Sequence, residues 1–245
     1  MHSFPAARVP VLACLVLAAG LVQSAQAQSF CASSGQPRPL ALLERFVNAD
    51  CADCWTDRAT PRARPGEVAL DWMLPGSQGD DAPLSVVANR DALARLQALG
   101  RSVPARRWVN TSPVAGGKAG TLRVAHGLPV SGYIGASIEL KPVPRSAGAQ
   151  PWTAWLALVE TIPAGTEGTP VPRNLVRNLL QSNWDVRKGL SNKEQVSFFE
   201  SRSMNIPPGM NTDRIKVIGW VQDAQGRVVA AAQSRCAKNH ATQGR

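Results

Sequence analysis

Short runs of apolar residues, many of them β-branched or aromatic, alternate with polar positions through the second half of the chain. Such runs are typical of strands with one buried face. They lie at 121–130, 133–143, 152–162 and 214–233. The last contains two β-rich runs around the turn 223–226 (DAQG), which predicts a hairpin. One stretch, NLVRNLL (174–180), has a helix-like pattern. Mostly strands with few helices predict a β-sandwich-like domain over 121–245.

The first half of the chain instead alternates strand and helix patterns. Its predicted elements are a strand at 40–49, a short helix that follows Cys51, a strand at 68–74, a helix at 89–99 and a strand within 102–110. Pro61 and Pro65 limit the first helix to about two turns, and Gly100 closes the second as a C-cap. This order predicts a separate α/β domain over 28–112.

A segment rich in glycine and proline, TSPVAGGKAG (111–120), separates the two patterns. Such composition is typical of a loop or linker, and we place the linker at 113–120. The predicted fold class is therefore α/β plus β, with an amino-terminal α/β domain followed by a β-sandwich-like carboxyl-terminal domain.

The first 27 residues have the pattern of a secretory signal peptide. Arg8 precedes fourteen apolar residues at 9–22, and a polar stretch ends in Ala25-Gln26-Ala27. Fourteen residues are too few for a transmembrane helix, which needs about 20. We expect cleavage near Ala27, a periplasmic or secreted location, and no membrane span in the mature chain.

The formal net charge of +10 changes this picture little, because the basic residues are scattered. A nucleic-acid-binding protein would concentrate them on one face. We therefore expect no nucleic-acid partner, but only solubility and weak attraction to anionic envelope surfaces.

Four cysteines remain after cleavage: Cys31, Cys51, Cys54 and Cys236. Disulfides are favoured outside the cytoplasm, and four cysteines allow three pairings. Cys51 and Cys54 are close enough to pair across one turn, which leaves Cys31 to pair with Cys236 by elimination. That structural bridge would hold both ends of the mature chain, and partly reduced or rearranged forms are the alternative.

Cys51 and Cys54 form a Cys-x-x-Cys dithiol at the predicted junction of strand and helix. Helix amides there can stabilise a thiolate, so Cys51 is the candidate nucleophile and Cys54 the resolving thiol. The same spacing also serves metal ligation and structural bridges. Asp50 and Asp53 flank Cys51 and oppose thiolate formation, although Asp50 could instead cap the helix.

Several segments together resemble a known family. They are LLERFVNADCADC (42–54), LDW (70–72), VPARRWVN (103–110), WLALVE (155–160), NLVRNLLQSNW (174–184) and IGWVQDAQGRVVAAA (218–232). The chain resembles the domain-of-unknown-function family 1223, exported bacterial proteins that are thioredoxin-like at the amino end. The resemblance implies a thioredoxin-like domain followed by a β-rich domain, with Pro104 as the cis-proline beside the dithiol. It implies no activity. Asp50 and Trp55 depart from the residues that usually flank such a dithiol.

Other chemistry-bearing residues are few. His126 and His240 do not stand at ligand spacing to the dithiol, and we interpret His126 as a turn or strand residue. Met204 and Met210 flank a loop at 206–209; methionine and thiolate ligands suit Cu(I), but loop packing explains two isolated methionines equally well. Trp55 either packs in the core or forms part of a substrate face.

These observations predict an exported thioredoxin-like protein that exchanges disulfides with protein thiols of the envelope. As a thiol-disulfide oxidoreductase it would use Cys51, Cys54 and the groove shaped by Pro104, without a cofactor or a resident metal. One alternative is a non-catalytic envelope binding module in which both disulfides are structural. Another is a periplasmic copper-handling protein.

Overall fold

The computed structural model describes residues 31–115, 120–143, 151–185 and 197–236. The predicted signal peptide and His240 lie outside the described residues. Within them the chain forms these strands and helices: β1 (Cys31–Ala32), β2 (Ala41–Asn48), α1 (Ala52–Thr56), β3 (Glu67–Leu74), α2 (Arg90–Ala98), β4 (Arg107–Pro113), β5 (Thr121–Val130), β6 (Tyr133–Lys141), β7 (Trp152–Ile162), β8 (Arg173–Trp184), β9 (Phe198–Asn205), β10 (Ile215–Gln222), β11 (Val228–Gln233) and β12 (Arg235–Cys236). No helix of this part of the chain is long and apolar enough to cross a membrane.

The strands form two sheets. A seven-stranded sheet has the order β11-β10-β7-β8-β3-β2-β4, and a five-stranded sheet has the order β12-β1-β5-β6-β9. The β2–β3 and β3–β8 pairs are parallel, whereas β7–β8 and the β10–β11 hairpin are antiparallel. The hairpin, its turn and the strands at 121–130 and 152–162 agree with the sequence pattern.

The expected thioredoxin-like α/β domain at the amino end is wrong. The described part of the chain is nearly all β, with one helix of five residues and one of nine. Asp71 of β3 pairs in register with Leu175 of β8, so strands from both sides of the predicted linker at 113–120 share one sheet. The physical reason is that β3 would otherwise expose one whole edge of unpaired backbone groups, and β8 pairs with that edge at Asp71.

The helix predicted at 174–180 is also wrong, because these residues belong to β8. The register between β7 and β8 shifts at Leu158 and Val159, which pair with Asn178 and Val176 and leave Arg177 without a partner on β7. A bulge of this kind changes which side chains face inward. The apolar residues before and after it therefore fall at helical spacing although the backbone is extended.

Helix α2 agrees with its sequence pattern. The Asn89 side chain accepts a 2.9 Å hydrogen bond from the backbone N–H of Ala92, which satisfies an amide of the first turn. Gly100 follows the last turn with φ at +66°, the left-handed conformation that commonly ends a helix.

Strand β7 lies between two cores, and its alternate residues belong to different ones. Ala154, Leu156 and Leu158 pack against the five-stranded sheet, and Trp155, Ala157 and Val159 pack on the side of α2. Period-two alternation in a strand that is buried on both faces produces this division. Helix α2 thus covers one face of the seven-stranded sheet. The five-stranded sheet covers the other face along β7, β10 and β11.

Candidate dithiol site

The dithiol lies where β2 ends and α1 begins, and the two cysteines form a disulfide. The backbone N–H of Cys51 donates to the Asn48 carbonyl at 2.9 Å, and that of Cys54 donates to the Cys51 carbonyl at 3.1 Å. The strand-to-helix setting agrees with the sequence interpretation. Helix α1 has only five residues, however, so few aligned peptide dipoles are available to stabilise a thiolate.

Both cysteines are almost fully buried, with 4% of Cys51 and 3% of Cys54 exposed. They belong to a small apolar cluster between α1 and the sheet whose other buried members are Val47, Ala49, Met73, Ala82, Ile162 and Leu175. This packing limits the approach of a second protein to either sulfur. It also shows why a disulfide here contributes to the core.

Asp53 is a charged group that lies beside the disulfide. One of its carboxylate oxygens, Oδ1, lies 3.1 Å from the Cys51 Sγ, and the other accepts a hydrogen bond from the Arg106 guanidinium. About two thirds of each of these two side chains is exposed. The Arg106 hydrogen bond lowers the pKa of Asp53. Asp53 is therefore ionised beside Cys51, but its charge is balanced by Arg106.

Asp50 does not cap α1, which has no side-chain cap. Its Oδ2 instead accepts hydrogen bonds from the Ser77 backbone N–H at 2.7 Å and from the Ser77 hydroxyl at 2.8 Å, and its Oδ1 accepts one from the Gln78 N–H at 3.2 Å. The Ser77 hydroxyl contributes most to lowering the pKa of Asp50. A Cβ atom at Gly76 would overlap this carboxylate, so the loop approaches Asp50 closely because residue 76 is glycine.

Pro104 lies near the dithiol, but not as a cis-proline. The cis bond of the described residues is Lys141–Pro142, so the cis isomer expected at Pro104 is wrong. The Pro104 carbonyl accepts a 3.1 Å hydrogen bond from the Asn48 side chain, and the Arg106 carbonyl accepts one from the Asn48 backbone at 2.8 Å. Asn48 therefore holds this segment beside the end of β2 and brings Arg106 to Asp53.

Trp55 of α1 is held by contacts with Glu167 and Arg173. Its indole N–H donates to the Glu167 carbonyl at 2.7 Å, and the Arg173 guanidinium lies 4.8 Å from the centre of its ring. Arg173 also donates to the Trp55 carbonyl at 3.0 Å. Trp55 is partly exposed, so it both anchors α1 and contributes to the surface beside the dithiol.

Arg173 belongs to a buried charged cluster that sequence reasoning missed. The Asp71 carboxylate accepts from Arg45 at 2.7 Å and from Arg173 at 3.0 Å, and all three side chains are at most 2% exposed. Two guanidinium groups share one carboxylate, so the cluster carries a net charge of +1. The signal in the sequence was the presence of charged residues inside the apolar runs 42–47 and 68–74.

The second disulfide joins Cys31 and Cys236, the pairing expected by elimination. Cys31 of β1 pairs in register with Cys236 of β12 and with His126 of β5. His126 is 4% exposed, and burial lowers its pKa. The structure thus brings His126 to this disulfide, which no sequence spacing indicated.

The two methionines belong to the core of the protein. Met204 and Met210 are buried between the two sheets and pack among apolar side chains. In the described ranges, two groups have ligand atoms within 4.8 Å of one another: Cys51 with Asp53 and Cys54, and Cys31 with His126 and Cys236.

Comparisons with known proteins leave the family open. No protein-family model matches the chain, and no curated protein matches its sequence. The chain is similar in structure to HBP35 of Porphyromonas gingivalis, at 13% identity over 85% of this chain and 79% of that one, with a TM-score of 0.49. A similarity of this size assigns neither fold nor function.

Proposed function

We propose that the protein acts outside the cytoplasm in thiol-disulfide exchange, with Cys51 and Cys54 as the reacting pair. The observation that carries this proposal is the Cys51–Cys54 disulfide at the junction of β2 and α1. The exposed Arg106 guanidinium beside it balances the charge of the ionised Asp53. Membership in family 1223 and export after cleavage near Ala27 are part of the same proposal.

The exchange transfers two electrons and needs no cofactor. A thiolate of a client dithiol attacks the Cys51 Sγ, the Cys51–Cys54 bond breaks, and Cys54 leaves as a thiolate that then takes a proton. The second client thiolate attacks the client sulfur of the mixed disulfide, and Cys51 leaves as a thiolate. The client becomes a disulfide and the protein a dithiol; the reverse sequence reduces a client disulfide.

Arg106 has two roles in this scheme. Its exposed guanidinium attracts an approaching client thiolate, and it neutralises Asp53, which would otherwise repel that thiolate. The Asp53–Arg106 pair is a surface ion pair and contributes little to stability. The pair therefore acts on the charge beside Cys51 rather than on the stability of the fold.

The test is a trapping experiment with the Cys54→Ser protein, in which a mixed disulfide at Cys51 cannot be resolved. Mixed-disulfide partners are identified by mass spectrometry, with Cys51→Ser as the matched control. We expect partners with Cys54→Ser that are absent with Cys51→Ser. We also expect the Cys51–Cys54 pair to have a reduction potential above about −300 mV in glutathione buffers, the range of labile disulfides. Exchange would be refuted if no mixed-disulfide partner were trapped and the reduction potential of the pair lay below that value.

Burial of both sulfurs favours one alternative, a non-catalytic binding module with two structural disulfides. Removing a native disulfide from a small secreted domain typically costs about 2–5 kcal/mol. The Cys51→Ser/Cys54→Ser protein would then be less stable to urea, while the proteins that co-purify with the wild type would still bind it.

A further inference from the structure

We propose that Cys31, Cys236 and His126 form a second site, which binds one Cu(I) ion once a dithiol reductant has opened the Cys31–Cys236 disulfide. This inference does not depend on exchange at Cys51 and Cys54. It rests on the five-stranded sheet, where three strands bring these side chains together.

The register of the sheet places the three residues side by side. Strand β1 lies between β12 and β5, with Cys31 opposite Cys236 on one side and His126 on the other. Directly opposed residues of neighbouring strands project from the same face. Both sulfurs and a ring nitrogen of His126 consequently lie within 4.8 Å of one another.

His126 has the hydrogen bonding of a metal ligand. Its Nδ1 lies 2.9 Å from the Gly127 carbonyl, to which it donates in the tautomer with the proton on Nδ1. The other nitrogen, Nε2, is buried and has no hydrogen-bond partner among the described residues. A buried acceptor without a partner is costly, and ligating histidines commonly donate their second N–H to a backbone carbonyl.

Opening the disulfide produces the remaining ligands. The reductant donates two electrons and two protons and is itself oxidised to a disulfide, and the Cys31–Cys236 bond becomes two thiols. Binding of Cu(I) then displaces both thiol protons and forms two thiolate bonds and one imidazole bond. Soft thiolates select Cu(I), whereas Zn²⁺ is almost always four-coordinate in structural sites, so three ligands favour copper.

The ends of the strands allow the necessary adjustment. Bonds of about 2.0–2.3 Å place the ligand atoms of a trigonal site about 3.5–4 Å apart, so the two sulfurs must separate. Cys236 lies in the two-residue strand β12 and is exposed, which provides both room to move and a path for the ion. The complex carries one net negative charge, and the exposed Arg235 directly precedes Cys236.

The test uses the full chain with Cys51→Ser and Cys54→Ser, so that the other dithiol contributes no ligand. The protein is reduced with a phosphine, which is removed under nitrogen, and is titrated with Cu(I) in competition with bathocuproine disulfonate. We expect one Cu(I) per chain and a thiolate-to-copper absorption in the ultraviolet. Adding His126→Gln should weaken binding by at least about tenfold, and the oxidised protein should bind no Cu(I).

Far-ultraviolet circular dichroism of each sample separates loss of the site from loss of the fold. Three results would overturn the proposal. The first is the lack of a 1:1 complex that withstands the competitor, and the second is an affinity of the His126→Gln protein within twofold of its parent. The third is unfolding on reduction that Cu(I) does not reverse.

Discussion

Asp71 of β3 accepts a 3.0 Å hydrogen bond from Arg173 of β8, and both side chains are almost fully buried where these two parallel strands meet. The same carboxylate also binds Arg45. The ion pair thus lies at the junction between strands from the two halves of the chain. It connects this junction to α1, because Arg173 also donates to the Trp55 carbonyl.

Replacing Asp71 by Asn should destabilise the protein strongly. It removes the only negative charge of the cluster and leaves Arg45 and Arg173 buried without compensation, which typically costs about 3–5 kcal/mol. Urea unfolding followed by tryptophan fluorescence measures the change. Arg202→Gln alters a partly exposed ion pair with Glu200 and should change the free energy of unfolding by less than about 0.5 kcal/mol. Equal effects of the two variants would contradict the structure.

Gly76→Ala should lower the urea midpoint because the new Cβ displaces the Asp50 carboxylate. The hydrogen bonds from Ser77 and Gln78 are then lost. Asp50→Ala removes both the carboxylate that the new Cβ would overlap and those hydrogen bonds. The Gly76→Ala/Asp50→Ala protein should therefore be no less stable than Asp50→Ala alone. Additive losses in this double-mutant cycle would show that Gly76 acts in another way.

Gly219→Ala tests how closely the two sheets approach. A Cβ atom there would lie 2.5 Å from the Val124 Cγ1 and 3.0 Å from the Ile138 Cδ1, and overpacking of this kind costs about 1–3 kcal/mol. Val124→Ala in the same protein should recover part of the loss. Gly135→Ala is the matched control, since no heavy atom lies within 4 Å of its Cβ position, and its urea midpoint should match that of the wild type.

The charges around Cys51 should control its thiol pKa in the reduced Cys54→Ser protein. Asp53→Asn removes an anion next to the sulfur, so the thiol pKa should fall and alkylation by iodoacetamide at neutral pH should become roughly threefold to tenfold faster. Arg106→Gln leaves Asp53 without its partner and should slow alkylation. Arg107→Gln is the control because Arg107 pairs with Asp57 instead; a profile of rate against pH that none of these variants shifts would refute the arrangement.

Stability of the oxidised protein should fall as the pH decreases below about 6.5. Burial lowers the pKa of His126 in the folded state, so the unfolded chain binds a proton at a higher pH than the folded one. The unfolding free energy is therefore unaffected by this residue above pH 6.5 and decreases below it, by at most about 1.4 kcal/mol per pH unit. His126→Gln should flatten this part of the curve in urea titrations at several pH values.

Much of the secondary structure follows from local pattern. Strand β7 and the β10–β11 hairpin were predictable because they are short, mostly apolar runs rich in strand-forming residues, and the hairpin runs flank the turn 223–226. Helix α2 was predictable from its leucine spacing and Gly100. Strand β8 was not, because the bulge opposite Leu158 and Val159 places its apolar residues at helical spacing. Sequence periodicity alone cannot separate a bulged strand from a helix over so short a stretch.

The candidate sites, too, were predictable from the sequence only in part. Pairing of Cys51 with Cys54 and of Cys31 with Cys236 was predictable from the spacing and number of the cysteines. Burial of the dithiol, the trans bond before Pro104 and the partner of Asp50 were not, because each depends on residues that pack against the site from elsewhere in the chain.

By itself, then, the sequence determined that the second half consists mainly of strands, that α2 forms, and that the four described cysteines pair as they do. These properties depend on neighbouring residues or on the number of thiols. Only the tertiary structure decided that β3 joins β8 in one sheet and that His126 lies beside Cys31 and Cys236. Pairing between distant strands depends on the burial of whole sheet faces and on hydrogen bonding of the backbone groups at strand edges. A local sequence pattern does not predict it.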